Sequence, residues 1–222
     1  MIKKLSFYKK GGLFIPVILI AGFLVVNFVF AYDSQNGHKA LTYEAAEFYN
    51  LSYPGKKLTP KQINFLMQGA REEDTPPRWI NHFYDPLTGQ GWKAEKLGKV
   101  SSSMLSWFSK WALSQKKPLS SKNWAKNRSA QSTYSRYKGD QTWQRAIEAY
   151  LEGDKNSAYI ALGHILHLIE DATVPDHTRG DTHAGLAGDN GSPYEKWVKQ
   201  YTAGKIRQLD VAKKAYKQGY KP

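Results

Sequence analysis

The chain has 222 residues, 41% of them apolar, and a formal charge of +13. That length suits one domain with a real core and leaves little room for two. There is no cysteine, which excludes disulfides, thiolate metal sites and cysteine nucleophiles, so any metal must be held by His, Asp, Glu and backbone groups. Such donors favour zinc with nitrogen and oxygen ligands.

Lys3, Lys4, Lys9 and Lys10 open the chain, an apolar run follows from Leu13 to Phe30, and Val29-Phe30-Ala31 offers a small-residue cleavage pattern before Tyr32. Residues 1–31 therefore read as a secretory signal peptide. The alternative is a retained membrane anchor, since such a run is just long enough to span a bilayer; Pro16 and Asn27 weaken a spanning helix. The four lysines take four of the thirteen net charges with them, leaving +9 on residues 32–222. A surface so basic suits a polyanion, whether anionic membrane, cell wall or nucleic acid.

Residues 38–51 carry apolar side chains at spacings of three and four and are expected to be helical. Thr59-Pro60 with Gln62 marks the next helix start, with Thr59 as N-cap and proline at the first helical position. That helix is expected to reach about Gly69, and the proline-containing stretch 70–92 to be mostly loop. Residues 93–140 are basic and Ser-rich, with Trp107 and Trp111 spaced for a short helix, and 115–128 reads as surface loop. Helical patterns follow over 142–153 and about 156–173, the latter closing ahead of Pro175. Residues 178–192 are Gly- and Asp-rich loop, and 193–216 return to helix. With almost no strand alternation, the expected fold is an all-α, single-domain multi-helix globule.

The most informative stretch is Gly163–His177. His167 and Asp171 lie four apart on one helical face, among Ile165, Leu166, Leu168 and Ile169, which are expected in the core. An imidazole and a carboxylate on an apolar wall are costly unless paired, and a metal cation supplies the missing charge. The alternative is a hydrogen-bonded His–Asp pair inside a bundle. Pro175 turns the chain so that His177 folds back as a third donor. Asp74 and His82 flank a proline loop further upstream. His38 opens the first helix, six residues after the expected new terminus at Tyr32, whose free amino group is itself a chelating donor. His164 is expected beside the metal ligands or at the surface.

In order and spacing these segments resemble the bacterial zinc-dependent phospholipase C family. His167, Asp171 and His177 match its His, three residues, Asp, five residues, His spacing. Gly69 and Asp74 match its Gly with an Asp ligand five residues on. His82-Phe83-Tyr84-Asp85-Pro86 matches its His-aromatic-aromatic-Asp-Pro run, His38 its early His, and Glu195 its late Glu ligand. The matches span residues 32–200. The resemblance implies about three zinc ions in a cleft between helices, with Tyr32, His38, Asp74, His82, His167, Asp171, His177, Glu195 and His183 as the ligand set. His183 is included because Gly191 stands where the family has a His, and Tyr32 stands where it has Trp.

By the same resemblance the activity is exported, zinc-dependent hydrolysis of the headgroup phosphoester of phospholipids at a membrane surface. Clustered zinc acidifies water and clamps phosphate oxygens, and Asp74 is at once a ligand and the candidate catalytic base. Two alternatives stand beside it. One is the single-strand-specific zinc nuclease, for which Trp79, Trp92 or Tyr84 would supply platforms for bases. The other is a zinc-stabilised binding protein without turnover, with the Trp-rich basic stretch 92–145 as its surface. No protein partner is expected.

Overall fold

The structure is a computed structural model; it describes residues 36–75, 77–92, 110, 117–132, 140–180 and 192–220. The leader, Tyr32, Trp107, Trp111, His183 and Gly191 lie outside the described residues. Among the described residues the fold is helical throughout, as the patterning predicts, with no strand. No described helix is long and apolar enough to cross a membrane.

Helix α1 runs Gly37–Ser52 and α2 Pro60–Glu73. Short helices α3, Ser121–Trp124, and α4, Arg128–Ser132, precede α5, Trp143–Leu151, and α6, Lys155–Asp171. Then come α7, Pro175–Arg179, α8, Pro193–Thr202, and α9, Val211–Lys217. Side-chain caps open α2, α5, α6 and α8, including the start expected at Thr59. Thr59 accepts from the Gln62 N–H while the Gln62 side chain accepts from the Thr59 N–H, a reciprocal box that satisfies two otherwise unpaired donors. Thr142, Asp154 and Ser192 each accept from the backbone N–H three residues on.

The centre of the fold is the pairing of α2 with α6, against which α1 and α5 pack. Two glycines make that pairing close. A Cβ on Gly69 would sit 2.0 Å from the Ile160 carbonyl oxygen, and one on Gly163 would sit 2.2 Å from that of Leu66. The helices therefore meet backbone to backbone, and no side chain fits between them. Beside this contact Ala46, Ile63, Leu66 and Met67 form the apolar core, covered by Tyr43, Tyr159, Leu162 and Leu166. From the far end of the chain α8 and α9 return to α1, where the Ala212 N–H donates to buried Glu44 at 2.7 Å.

Four expectations are corrected. Helix α2 continues to Glu73 rather than ending at Gly69, because Ala70, Glu72 and Glu73 all gain burial by staying helical. Residues 115–128 are not simply a surface loop: Trp124 is completely buried and its indole N–H donates to Glu73 at 2.6 Å. The span 193–216 is broken into α8 and α9 where Gly204 and Asp210 take left-handed backbone, at φ 68° and 53°. Ile169 is 58% exposed, because the inward stripe of α6 passes through Ile165, Leu168 and the polar pair instead.

Gly163→Ala tests the central contact. Overpacking there is expected to lower unfolding free energy by about 1–3 kcal/mol in urea titration; an unchanged midpoint would show that α2 and α6 can separate freely.

Candidate metal centre

Six of the nine expected ligands converge. His38 comes from the first turn of α1, Asp74 from the C-cap of α2 and His82 from the C-cap of the 3-10 turn Arg78–Asn81. His167 and Asp171 come from the last turns of α6, and His177 from α7, where Pro175 occupies the first helical position. All six are buried. Asp171 is the hub: its carboxylate lies 3.5 Å from His38 Nε2, 2.9 Å from His82 Nδ1, 3.2 Å from His167 Nε2 and 3.5 Å from His177 Nδ1. Asp74 Oδ1 lies 3.6 Å from His167 Nε2 and 3.8 Å from His82 Nδ1. Two triads, His38–His167–Asp171 and Asp74–His82–His167, each bring their donor atoms within 4.8 Å of one another and are suited to holding a metal ion.

The orientation of these groups is compatible with metal ligands, although His167 Nε2 and His82 Nδ1 also lie within hydrogen-bonding distance of each other at 3.2 Å. Among the described residues neither oxygen of Asp74 or of Asp171 accepts a hydrogen bond, although nitrogens stand within 4 Å. Buried carboxylate oxygens without donors are expensive. On the outer side, two imidazoles are pinned. His167 Nδ1 lies 2.6 Å from the Ala70 carbonyl, which can only accept, so the proton is on Nδ1 and Nε2 faces the centre. His38 Nδ1 donates to Glu170 Oε2 at 2.7 Å, and Glu170 is held in turn by the Thr42 hydroxyl at 2.8 Å. A histidine fixed at one nitrogen by a carbonyl or carboxylate and turned inward with the other is the usual support for a metal. The rings of His38 and His167 stack at 3.7 Å.

The electrostatics agree. Burial, with His167 beside it, lowers His38 to about 3, so this imidazole is neutral and ready to donate a lone pair. Burial opposes a proton on His167 too, but Asp171 and Asp74 override it and raise the group to about 10. Burial and His167 oppose one on His82, and there Asp171 and Glu73 prevail and raise it. Burial works against a charged Asp171, yet His177, His167 and His82 hold it well below the usual carboxylate range. Burial pushes Asp74 up and carries Glu170 to about 8. The centre thus draws positive charge into itself, as protons or as a cation.

A second buried network abuts the first. Glu73 accepts from Arg78 Nε at 2.7 Å, from the Trp124 indole at 2.6 Å and pairs with His164 Nδ1 at 2.5 Å. Arg78 also donates to Gln131 at 3.0 Å and lies over the Trp124 ring. Burial disfavours a charged Glu73, but Arg78, His164 and His82 together override it and hold the carboxyl well below the ordinary value. Burial lowers His164 to about 4. His164 is therefore neither ligand nor surface residue; it belongs to this ion-pair layer, which approaches the metal centre where Glu73 Oε1 lies 3.7 Å from His82 Nε2.

Glu195 is half-buried in the first turn of α8, its N–H capped by Ser192, and is not part of either triad. Tyr32 and His183 lie outside the described residues. Asp85 of the His82–Pro86 run is a turn former, accepting from the Leu87 N–H and the Thr88 hydroxyl. Phe83 stacks on His177 at 4.6 Å and on Trp92 at 5.1 Å, so the aromatic wall here supports a ligand. Sequence reasoning missed Glu170 and the Glu73–Arg78 pair. The signal available was a carboxylate beside Asp171 on a mostly apolar helix, and an acid and a base flanking the prolines. No protein-family model, curated protein or solved structure matches the chain.

Glu170→Gln is expected to weaken metal binding by about 10- to 100-fold, read by competition with a chromophoric chelator; unchanged affinity would deny Glu170 its orienting role. Arg78→Met leaves Glu73 buried without its cation and is expected to cost about 3–5 kcal/mol in chemical denaturation.

Proposed function

We propose that the chain is an exported, zinc-dependent phosphodiesterase that hydrolyses the headgroup phosphoester of phospholipids. The observation that carries this reading is the buried, convergent set His38, Asp74, His82, His167, Asp171 and His177, its carboxylates without donors and two of its imidazoles, His38 and His167, pinned from behind. Nitrogen and oxygen donors alone, in a chain without cysteine, fit zinc. When bound, zinc supplies a Lewis acid that acidifies water and neutralises charge on phosphate oxygens. The chain's own part is to orient. Glu170 and the Ala70 carbonyl hold His38 and His167 in the tautomer that faces inward, and Asp171 holds the four imidazoles around one point. Asp74, at the edge of the set, is placed to take a proton from attacking water at a carboxylate oxygen.

One surface feature favours lipid over nucleic acid. On α8, Tyr194, Trp197 and Tyr201 form an outward ladder, with Trp197 56% exposed, while Val198 and Thr202 face inward. Trp197 and Tyr201 stack on each other at 5.1 Å with 12° between their planes, so the facing sides of the two rings are closed to a base. Lys196 and Lys199 are exposed on the same helix, and Lys205 lies over Tyr201. Aromatic edges among lysines suit the headgroup region of an anionic bilayer. Of the platforms expected for bases, Trp79 and Trp92 are buried and Tyr84 is half-buried.

Zinc content and release of phosphorylated headgroup from phosphatidylcholine vesicles test the reading. Asp171→Ala and His167→Ala are expected to lose metal and activity together, and full zinc occupancy in either variant would overturn the ligand assignment. Retained zinc with cleavage of single-stranded DNA instead of lipid would select the nuclease, and zinc with neither activity a binding protein. Trp197→Ala with Tyr201→Ala is expected to slow vesicle hydrolysis about tenfold while leaving a soluble short-chain phosphatidylcholine unaffected; equal loss on both would place the ladder in folding, not in surface binding.

A further inference from the structure

A cavity of about 580 Å³ opens on a neighbouring face of α1 and α2, closed on its far side by the turn between α8 and α9. None of the six converging metal donors lines it. Its cations are Lys39, Arg71 and Arg207, and no carboxylate is among its lining residues. Arg207 is fixed in place: its guanidinium donates to Asn64 Oδ1 at 2.6 Å and lies over the Tyr43 ring at 5.2 Å. Arg71 comes no nearer than 3.7 Å to the carboxylate of Glu72, its ion-pair partner, so its donors are not consumed by a close salt bridge. Gln68 adds an amide to the wall, and Met67 and Ile206 supply an apolar floor.

Three cations from three separate segments line one cavity, with Glu72 beside Arg71 outside the lining, and raise the local potential for an anion carrying more than one charge. Planar guanidinium groups match the oxygens of a phosphate, and each such charge-assisted pair is stronger than a neutral hydrogen bond. The volume is that of a small-molecule site and exceeds what a bare phosphate fills, and the apolar floor accommodates a short carbon chain. We propose that this cavity is a second binding site, independent of the metal centre, for a phosphate monoester dianion bearing a small apolar group. The proposal goes beyond the hydrolytic reading and does not require it, although a monoester is also the class of product that a phosphodiesterase releases.

The test is calorimetric titration of the zinc-loaded chain with butyl phosphate, repeated after zinc is removed with chelator, and repeated on Arg71→Gln/Arg207→Gln. Binding that survives zinc removal, that weakens at least about tenfold in the double variant, and that is weaker again for the monoanionic diester dibutyl phosphate is the expected result. The double variant is expected to keep wild-type zinc content and helical circular dichroism, which separates a lost pocket from a lost fold. Should chelation itself unfold the chain, the zinc-loaded forms decide: two classes of butyl phosphate site in the wild type against one in the variant. A single class in both, or binding unaltered by the double substitution, would overturn the proposal. Loss of lipid hydrolysis with butyl phosphate binding intact would refute the hydrolase and leave this site standing.

Discussion

The contact between Gly69 and Gly163 is the constraint on which the rest depends. Because neither residue has a Cβ, α2 and α6 approach until the backbone of one rests on the backbone of the other. Only at that separation does the carbonyl of Ala70 reach His167, and only there does Glu73 reach His164. The glycines thus bring two polar rows into hydrogen-bonding register in the middle of an otherwise apolar interface. A larger residue at either position would push the helices apart by the width of a side chain, and both polar layers would lose their partners together.

The two layers differ in charge balance. Glu73, Arg78, Trp124, Gln131 and His164 are joined by hydrogen bonds in which a cation is matched to an anion. Such a network serves structure, holding the segment after α2 against α3 and α4. The neighbouring layer is open. Its two carboxylates stand among nitrogens that approach off hydrogen-bond geometry, and protons are drawn onto His167 and His82 to offset the acids. Such a buried layer, with two of its imidazoles held from outside, could hold a cation.

Function then follows from what surrounds that layer. The chain is strongly basic, the aromatic ladder of α8 lies among lysines, and the cavity beside α1 and α2 is walled by cations without acids. Each feature would favour an anionic group electrostatically. A metal bound by the buried nitrogen and oxygen donors would share this sign of charge, which is the basis of the proposed chemistry on phosphate esters.

The sequence by itself determined the elements governed by short-range rules. The Thr59-Pro60 start of α2, the paired faces of His167 and Asp171 and the all-helical class follow from capping chemistry and the helical repeat, which reach only three or four residues along the chain. The convergence of His38, Asp74 and His82 on that pair was legible through the spacing of a resembled family, not through local physics. What only the tertiary structure decided involves partners far apart in sequence. Glu170 supports His38 because α1 lies across α6, Trp124 is buried because its indole finds Glu73 on α2, and His164 joins an ion-pair layer because Gly163 beside it admits close approach. The helix expected over 193–216 breaks because Gly204 and Asp210 adopt left-handed backbone where the chain turns back toward α1. Periodicity reports which face of a helix is apolar; which polar group meets which is set by the packing distance between helices, and that distance is a property of the assembled fold.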